Sequence, residues 1–290
     1  MSKLRTRGHK VILARSAGGD AGITVILFLL GAFMFFPMYF NIMQSLKPLD
    51  ELFRQPPRLY AVHPTFSNYK DLFILMNTSW VPFSRYIFNT VYISVVGTFG
   101  HLMLASVAAY ALAKIKFPGR NLIFMTIRTS LMFNATVTAI TSFLIMSAFH
   151  WLDSYWAIVV PQWGATLGLY LMKNFMEENI QDGILESARL DGASEFRIYW
   201  EIAMPMVKPA WLTLVIYSFK DMWNQGSSTY IFSEQYKTFN YAISQIAAGG
   251  IIRAGASAAA TVIGMAVPIL VFVINQAQVI ETMGSSGMKD

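Results

Sequence analysis

Glu186-Ser187-Ala188-Arg189-Leu190-Asp191-Gly192, followed after nine further residues by Ile202-Ala203-Met204-Pro205, is the stretch on which the reading of the whole chain turns. It is a charged, helix-forming island between strongly apolar segments. Seven acidic residues fall between positions 174 and 208, so the island belongs in water beside a membrane and not inside one. Its pattern predicts two short helices around a bend. The first places Ile184, Leu185 and Ala188 on one face, and Gly192 supplies a position that tolerates positive φ. Ser194 then caps a second helix with Glu195 in its first turn. Phe196, Tyr199, Trp200 and Ala203 follow at i, i+3, i+4 and i+7, a stripe that needs something to pack on.

The rest of the chain agrees with a membrane setting. Apolar residues make up 55% of it and charged residues 13%, against about 25% charged in soluble domains, and mean hydropathy is +0.46. Without cysteine there is no disulfide framework, thiolate metal site or cysteine nucleophile. His9, His63, His101 and His150 are scattered without metal-ligand spacing, so no metal site is expected. The net charge of +6 reads as membrane topology and not as a nucleic-acid surface, because the basic residues do not cluster with aromatics on a soluble face.

Six apolar runs stand out, at about 22–43, 86–113, 121–149, 156–173, 209–232 and 258–280, and predict an all-α polytopic protein with six transmembrane helices. The first run follows five basic residues and no small-residue cleavage site, so it reads as a retained span. Residues 44–85 contain Pro48, Pro56, Pro57 and Pro64, which favour extended backbone over another crossing. Six spans put both termini on one side. Basic residues choose that side: thirteen lie in the segments shared with the termini and the island, seven in the opposite segments. The expected organisation is therefore a cytoplasmic N-terminal segment (1–21), helices 1–4 (22–173) with an external loop (44–85), a cytoplasmic loop (174–208), helices 5–6 (209–280) and a cytoplasmic tail (281–290).

The island's pattern, Glu-x-Ala-x3-Gly-x9-Ile-x-(Leu/Met)-Pro, resembles the EAA loop of the integral-membrane subunits of binding-protein-dependent ABC importers. Ser187 and Met204 are mild departures from that pattern. Ser106 to Lys114 with Phe117-Pro118-Gly119-Arg120 is similar to the second-span exit of carbohydrate permeases of the maltose-permease type. Ser45-Leu46-Lys47-Pro48, Trp151-Leu152-Asp153-Ser154, Leu190-Asp191-Gly192-Ala193-Ser194, Trp223-Asn224 and Ser286-Gly287-Met288-Lys289 are similar to signatures in the same order. The resemblance implies the type I permease fold of ABC importers in a bacterial cytoplasmic membrane, and a coupling role for Glu186, Ser187, Ala188, Leu190, Asp191, Gly192, Phe196 and Pro205. It also implies the partners: a second homologous permease, two ABC ATPases that hold ATP and Mg, an extracytoplasmic solute-binding protein and a sugar substrate. No cofactor is expected on this chain. The bland alternative for the island is an amphipathic hairpin lying on headgroups, which its acidity disfavours. The family pattern fails at Asn134-Ala135-Thr136-Val137-Thr138, where a Gly/Pro-containing stretch is usual, and at Asn179-Ile180-Gln181.

Within the fifth run, Lys220 lies eleven residues past Pro209, about 16 Å along a helix and near the middle of a roughly 30 Å core. Tyr217, Lys220, Asp221, Asn224 and Ser228 form a polar stripe there, with Arg128 and Asn134 as further candidates in the third run. One reading makes them a substrate pathway; the other makes Lys220 or Asp221 a structural pair and lets Arg128 snorkel. Arg128 and Lys220 facing one conduit would suit an acidic saccharide. Gly164-Ala165-Thr166-Leu167-Gly168 permits close helix approach, within the subunit before any dimer. No GxxxxGK[ST], HExxH or GxSxG occurs, so the chain is not itself the ATPase and carries no hydrolase signature. The competing class is a self-sufficient secondary transporter or channel, for which Asp221 is the one clear midplane acid and internal repeats are missing.

Overall fold

The computed structural model describes residues 17–77, 80–133, 135–226 and 229–286, and these are helical with no strand among them. In chain order the α-helices are α1 (Ala17–Leu46), α2 (Leu49–Leu52), α3 (Ser67–Asn77), α4 (Phe83–Lys114), α5 (Arg120–Ser130), α6 (Ala135–Ala148), α7 (Trp156–Trp163), α8 (Thr166–Asn179), α9 (Asp182–Leu190) and α10 (Glu195–Arg197). A π-helical turn, Ile198–Ala203, leads through α11 (Met204–Met206) into α12 (Lys208–Trp223). A 3₁₀ turn (Glu234–Tyr236), α13 (Phe239–Ala248), a second 3₁₀ turn (Ile251–Arg253) and α14 (Ala254–Ser286) complete the described chain.

Among the described residues three stretches are long and apolar enough to cross a bilayer unaided: Gly19–Leu46, Phe83–Lys114 and Ile251–Gln276. The other expected spans differ from straight rods. The third is broken into α5 and α6, where the amides of Met132 and Phe133 reach back only three residues, to Thr129 and Ser130, and tighten the turn out of α-helical register. The fourth is broken into α7 and α8. Pro161 brings no amide to the ladder, Gly164 and Ala165 bond back to Pro161 and Gln162, and Ala165 is extended at φ −61°, ψ 118°. The fifth stops at Trp223, short of position 232, because Asn224 closes it with both its backbone amide and its side-chain amide on Lys220 O (3.1 and 2.8 Å). Glu195–Met206 and Lys208–Trp223 meet at 82°, and the two are long and apolar enough to cross a membrane only when taken together.

The two polar connections also hold helices that the prolines and glycines concealed. Residues 44–85 contain α2 and α3, and 233–257 contains α13. Asn68 of α3 donates to Ser45 O and Lys47 O, while Glu51 of α2 accepts from the amides of Val62 and His63, so this connection is tied at both limbs.

Helix α4 is the spine. It packs on α7, α8 and α12 through small and polar side chains, including Gly97, Ala105, Ser106, Ala109 and Ala113, which let backbones approach closely. A Cβ on Gly100 would sit 2.1 Å from Trp163 Nε1, and one on Gly168 would sit 2.3 Å from His101 Nε2 and 2.4 Å from Leu214 Cδ1. Gly168 thus serves contact inside the subunit, as expected of the GxxxG stretch, while Gly164 ends α7. At one end of the spine Tyr110 and Ala113 join Met172, Met176, Leu185, Ile198, Tyr199 and Val207 in a core; at the other, Tyr86 joins Leu72, Met76, Phe239, Ile246 and Ala259. At that second end Asn89 donates to Gln235 O and Lys237 O and accepts from Tyr155 OH, and Asp153 accepts from the amides of Phe232 and Ser233. The segment after α12 is held by both.

Gly168→Ala should cost about 1–3 kcal/mol by overpacking the α4–α8–α12 contact, read as a lower unfolding midpoint of the detergent-solubilised protein. Gly22→Ala, within α1 where an added Cβ meets nothing within 4 Å, should not lower the midpoint.

Candidate functional site

The island folds as its sequence pattern predicts at the bend and differs from it in the second limb. Helix α9 ends in a Schellman motif: Gly192 stands at φ +82°, its amide bonds to Arg189 O, and the Ala193 amide reaches Ala188 O, each at 3.0 Å. Ser194 Oγ accepts from the Arg197 amide at 3.4 Å, capping α10. Beyond Arg197 the π turn of Ile198–Ala203 adds a residue to the winding, and the expected four-residue stripe divides. Tyr199 and Ala203 are buried with Ile198, whereas Phe196 and Trp200 are 75% and 53% exposed. The first limb divides likewise: Leu185 is buried and Ala188 packs on the same core, but Ile184 faces outward.

The hairpin therefore has two sides. Its inner side is seated on the ends of α4 and α8 through Leu185, Ile198, Tyr199 and Ala203. Its outer side presents Leu190 (89% exposed), Phe196 and Trp200, with Ser187, Asp191, Gly192 and Pro205 exposed around them, while Glu186 is exposed on the face of α9 that also carries Asp182 and Arg189. Of the residues expected to couple, only Ala188 is partly covered by the chain itself.

Polar contacts fix the seat. Tyr199 OH and Ser106 Oγ are 2.7 Å apart, and burial pushes the Tyr199 phenol up from its ordinary value. Tyr110 OH donates to Glu195 Oε2 at 3.0 Å, and Arg189 Nε to Glu195 Oε1 at 2.6 Å. The Arg189 guanidinium holds the Glu195 carboxyl below its usual range, and the Lys114 ammonium, 2.8 Å away, does the same to Asp182. Arg197 pairs with Glu201 on the exposed face of the second limb. Lys114, Arg120, Asp182, Glu186, Arg189 and Glu195 line a cleft of about 280 Å³ under the hairpin. Lys114, Tyr110 and Ser106 were carried in the sequence only as part of a span exit. A lysine closing a long apolar helix, with an acid opening the first limb of the island, was the available signal.

The polar stripe of α12 borders two cavities of this subunit. Tyr217 lines a cavity of about 300 Å³ between α8 and α12, with Gly168, Phe175 and Thr213. Lys220 and Asn224 border a different one, of about 390 Å³, between α12, α14 and the Met38 region of α1. Asp221 is exposed, and Lys220 lies in the last turn of the helix, because α12 ends before the stripe is complete. Arg128 is exposed in the last turn of α5. Ser228 and Asn134 lie outside the described residues.

Residues 101–282 match the family described as binding-protein-dependent transport system inner membrane component, and the chain belongs to that family. It is thus a multi-pass membrane component of such a transport system. Among curated relatives it is 31% identical to Protein LplC of Bacillus subtilis over 58% of this chain and 61% of that one, so the match spans under two thirds of LplC. It is 28% identical to the arabinooligosaccharides transport system permease protein AraQ of the same organism over 70% of this chain and 71% of AraQ. A match of 26% identity to the sn-glycerol-3-phosphate permease protein UgpE of Yersinia enterocolitica covers 72% and 74%. In fold, it is similar to a chain of a bacterial ABC transporter involved in the import of the acidic polysaccharide alginate, with a TM-score of 0.77 and 23% identity over 91% of this chain and 98% of that one.

Because Glu195 and Asp182 titrate below their ordinary range when folded, their contribution is complete above the unfolded carboxylate values and is lost as pH falls through the folded ones. Acidification from about pH 4 to about pH 2 should strip amide-exchange protection from residues 182–197 before it touches the buried middle of α4. Protection of the hairpin that survives to the acid end of that range would show that these pairs do not hold it.

Proposed function

We propose that this chain is the permease subunit of an ATP-driven ABC importer for a carbohydrate, with an oligosaccharide as cargo, and that it forms half of the translocation pathway. The observation that carries this reading is the two-sided hairpin. One side is bonded to the spans and the other offers Leu190, Phe196 and Trp200 to something outside the chain. In this reading the outer side docks on a separate cytoplasmic ATPase, which alone binds ATP and Mg, and Glu186, Ser187, Ala188, Leu190, Asp191, Gly192, Phe196 and Pro205 make or shape that contact. The sugar relatives, AraQ above all, support the cargo class.

The chain then crosses the membrane six times, by α1, α4, α5 with α6, α7 with α8, α12 and α14, with both termini and the hairpin in the cytoplasm. Breaks within spans are tolerated where the protein itself covers the freed backbone or where a watered cavity is lined, which suits a pathway. Tyr217, Lys220, Asp221 and Asn224 of α12, with Arg128, Asn134 and Ser228, are the pathway candidates. A homologous second permease closes the conduit, and an extracytoplasmic binding protein delivers the sugar. Closure of two ATPases moves the docked hairpins together, and the hairpin must make different contacts in the two states for that motion to open the route outward and then inward.

Proteoliposomes containing the full importer should take up labelled oligosaccharide only with ATP and the binding protein, and vanadate should stop them. Uptake that persists without the ATPases would instead make the chain a secondary transporter or channel. Gly192→Asp places a side chain where an added Cβ meets nothing within 4 Å, so the fold and membrane insertion should survive. Uptake should fall by about tenfold or more while ATP hydrolysis continues, because a new charge stands on the docking face; the about 1–2 kcal/mol of left-handed strain bears on folding and not on transport. Normal uptake would remove Gly192 from the coupling surface.

A further inference from the structure

Lys114 is the last residue of α4, and only 5% of its side chain is exposed. Its Nζ has three donors and meets three acceptors: Ile180 O at 2.7 Å, Asp182 Oδ1 at 2.8 Å and Glu177 O at 3.3 Å. Two of these are carbonyls at the C-terminal end of α8, where a helix leaves its last oxygens without an intrahelical amide and where a cation is favoured. The third opens α9, the first limb of the hairpin. A single ammonium on the spine thus closes the fourth span and starts the island.

The surroundings stiffen the joint. Arg120, opening α5, donates to Ala113 O and Glu177 Oε1, both at 3.2 Å. Lys173 pairs with Glu177 Oε2 and lies 4.0 Å over the Phe124 ring. The second limb of the hairpin is fastened to the same spine one and two turns back, by Tyr110 to Glu195 and Ser106 to Tyr199. Because the outer face of the hairpin is free of the chain while its inner face is bonded to α4, a displacement of the hairpin must be passed through these contacts. Apolar packing is non-directional and lets surfaces slide, whereas three charge-assisted hydrogen bonds fix position and direction.

We infer that Lys114 is a positioning residue for transport: it makes the hairpin, the end of α8 and α4 move as one body, so that work done on the hairpin reaches the pathway. The inference rests on the importer reading above. Lys114 touches neither nucleotide nor sugar; it acts through the hairpin it holds.

The test is the amount of oligosaccharide moved per ATP hydrolysed by the full importer in proteoliposomes. Lys114→Met keeps the stem and removes all three donors; sugar per ATP should fall about tenfold or more, the scale of one charged hydrogen bond, with complex yield and ATP hydrolysis within about twofold of wild type. Lys114→Arg, which keeps charge and donors, should recover most of the ratio. Should Lys114→Met fail to assemble, Asp182→Asn, which weakens one of the three contacts, should still lower the ratio without lowering ATP hydrolysis. Unchanged sugar per ATP in Lys114→Met or Asp182→Asn, or a fall in uptake and ATP hydrolysis in equal proportion, would reduce Lys114 to a helix cap and overturn the inference. A wild-type importer lacking ATP-dependent uptake would overturn the functional reading itself, which is a separate result.

Discussion

A peptide group that loses its hydrogen-bond partner inside hydrocarbon costs several kcal/mol, and the architecture of this protein follows from where its helical ladders stop. Two of its apolar runs are interrupted, between α5 and α6 and between α7 and α8, and α12 ends early. At the second break the neighbouring elements are pressed unusually close. Gly100 admits the Trp163 ring, Gly168 admits His101, and Trp163 Nε1 donates to Val96 O at 3.1 Å. At the end of α12 the Asn224 side chain satisfies Lys220 O, and Asn240 donates to Trp223 O at 3.0 Å. The small residues of α4 are what make such coverage possible. A bulkier spine would hold its neighbours too far away to protect the breaks.

The same spine organises the polar ends of the molecule in two different ways. At the hairpin end ion pairs take part, Lys114 to Asp182, Arg189 to Glu195 and Arg120 to Glu177, beside the Tyr110–Glu195 and Ser106–Tyr199 hydrogen bonds. At the other end the ties are hydrogen bonds spanning nearly 150 positions of sequence, from Tyr86, Asn89 and Thr90 to residues 234–239. Exposed ion pairs contribute little to stability. Those beneath the hairpin are partly enclosed and multiply bonded, so their value lies in direction more than in strength.

Much of this was legible from residues alone, for identifiable reasons. The bend at Gly192 could be read because a Schellman turn demands a left-handed residue and glycine supplies it, and the Ser194 cap because its hydroxyl precedes a helix-forming run. The broken spans were hidden, since hydropathy registers composition over a window and is blind to a two-residue lapse in hydrogen bonding. The second-limb stripe was misread because a π turn shifts the angular register, so Phe196 and Trp200 turned outward while Tyr199 turned in. The α12 stripe was legible only in part: 3.6-residue periodicity carries it past Trp223, where the helix ends, and in this subunit Tyr217 lines one cavity while Lys220 and Asn224 line another. The role of Lys114 was beyond sequence periodicity, because two of its three acceptors are main-chain oxygens and all three lie more than sixty residues away.

Pro37 divides α1 at the place where its surroundings change. From Ala21 to Pro37 the helix is uncovered by its own chain; from Met38 onward it is partly or fully enclosed, and Ser45 joins Tyr69 and Asn68 of α3. A proline at that junction deletes one ladder bond and leaves the helix easiest to flex where its support begins. The longer part therefore behaves as a mast stepped at Pro37. Its pitch is dictated by bilayer thickness and by whatever neighbour leans on it, and the rest of the subunit feels that pitch only at the step.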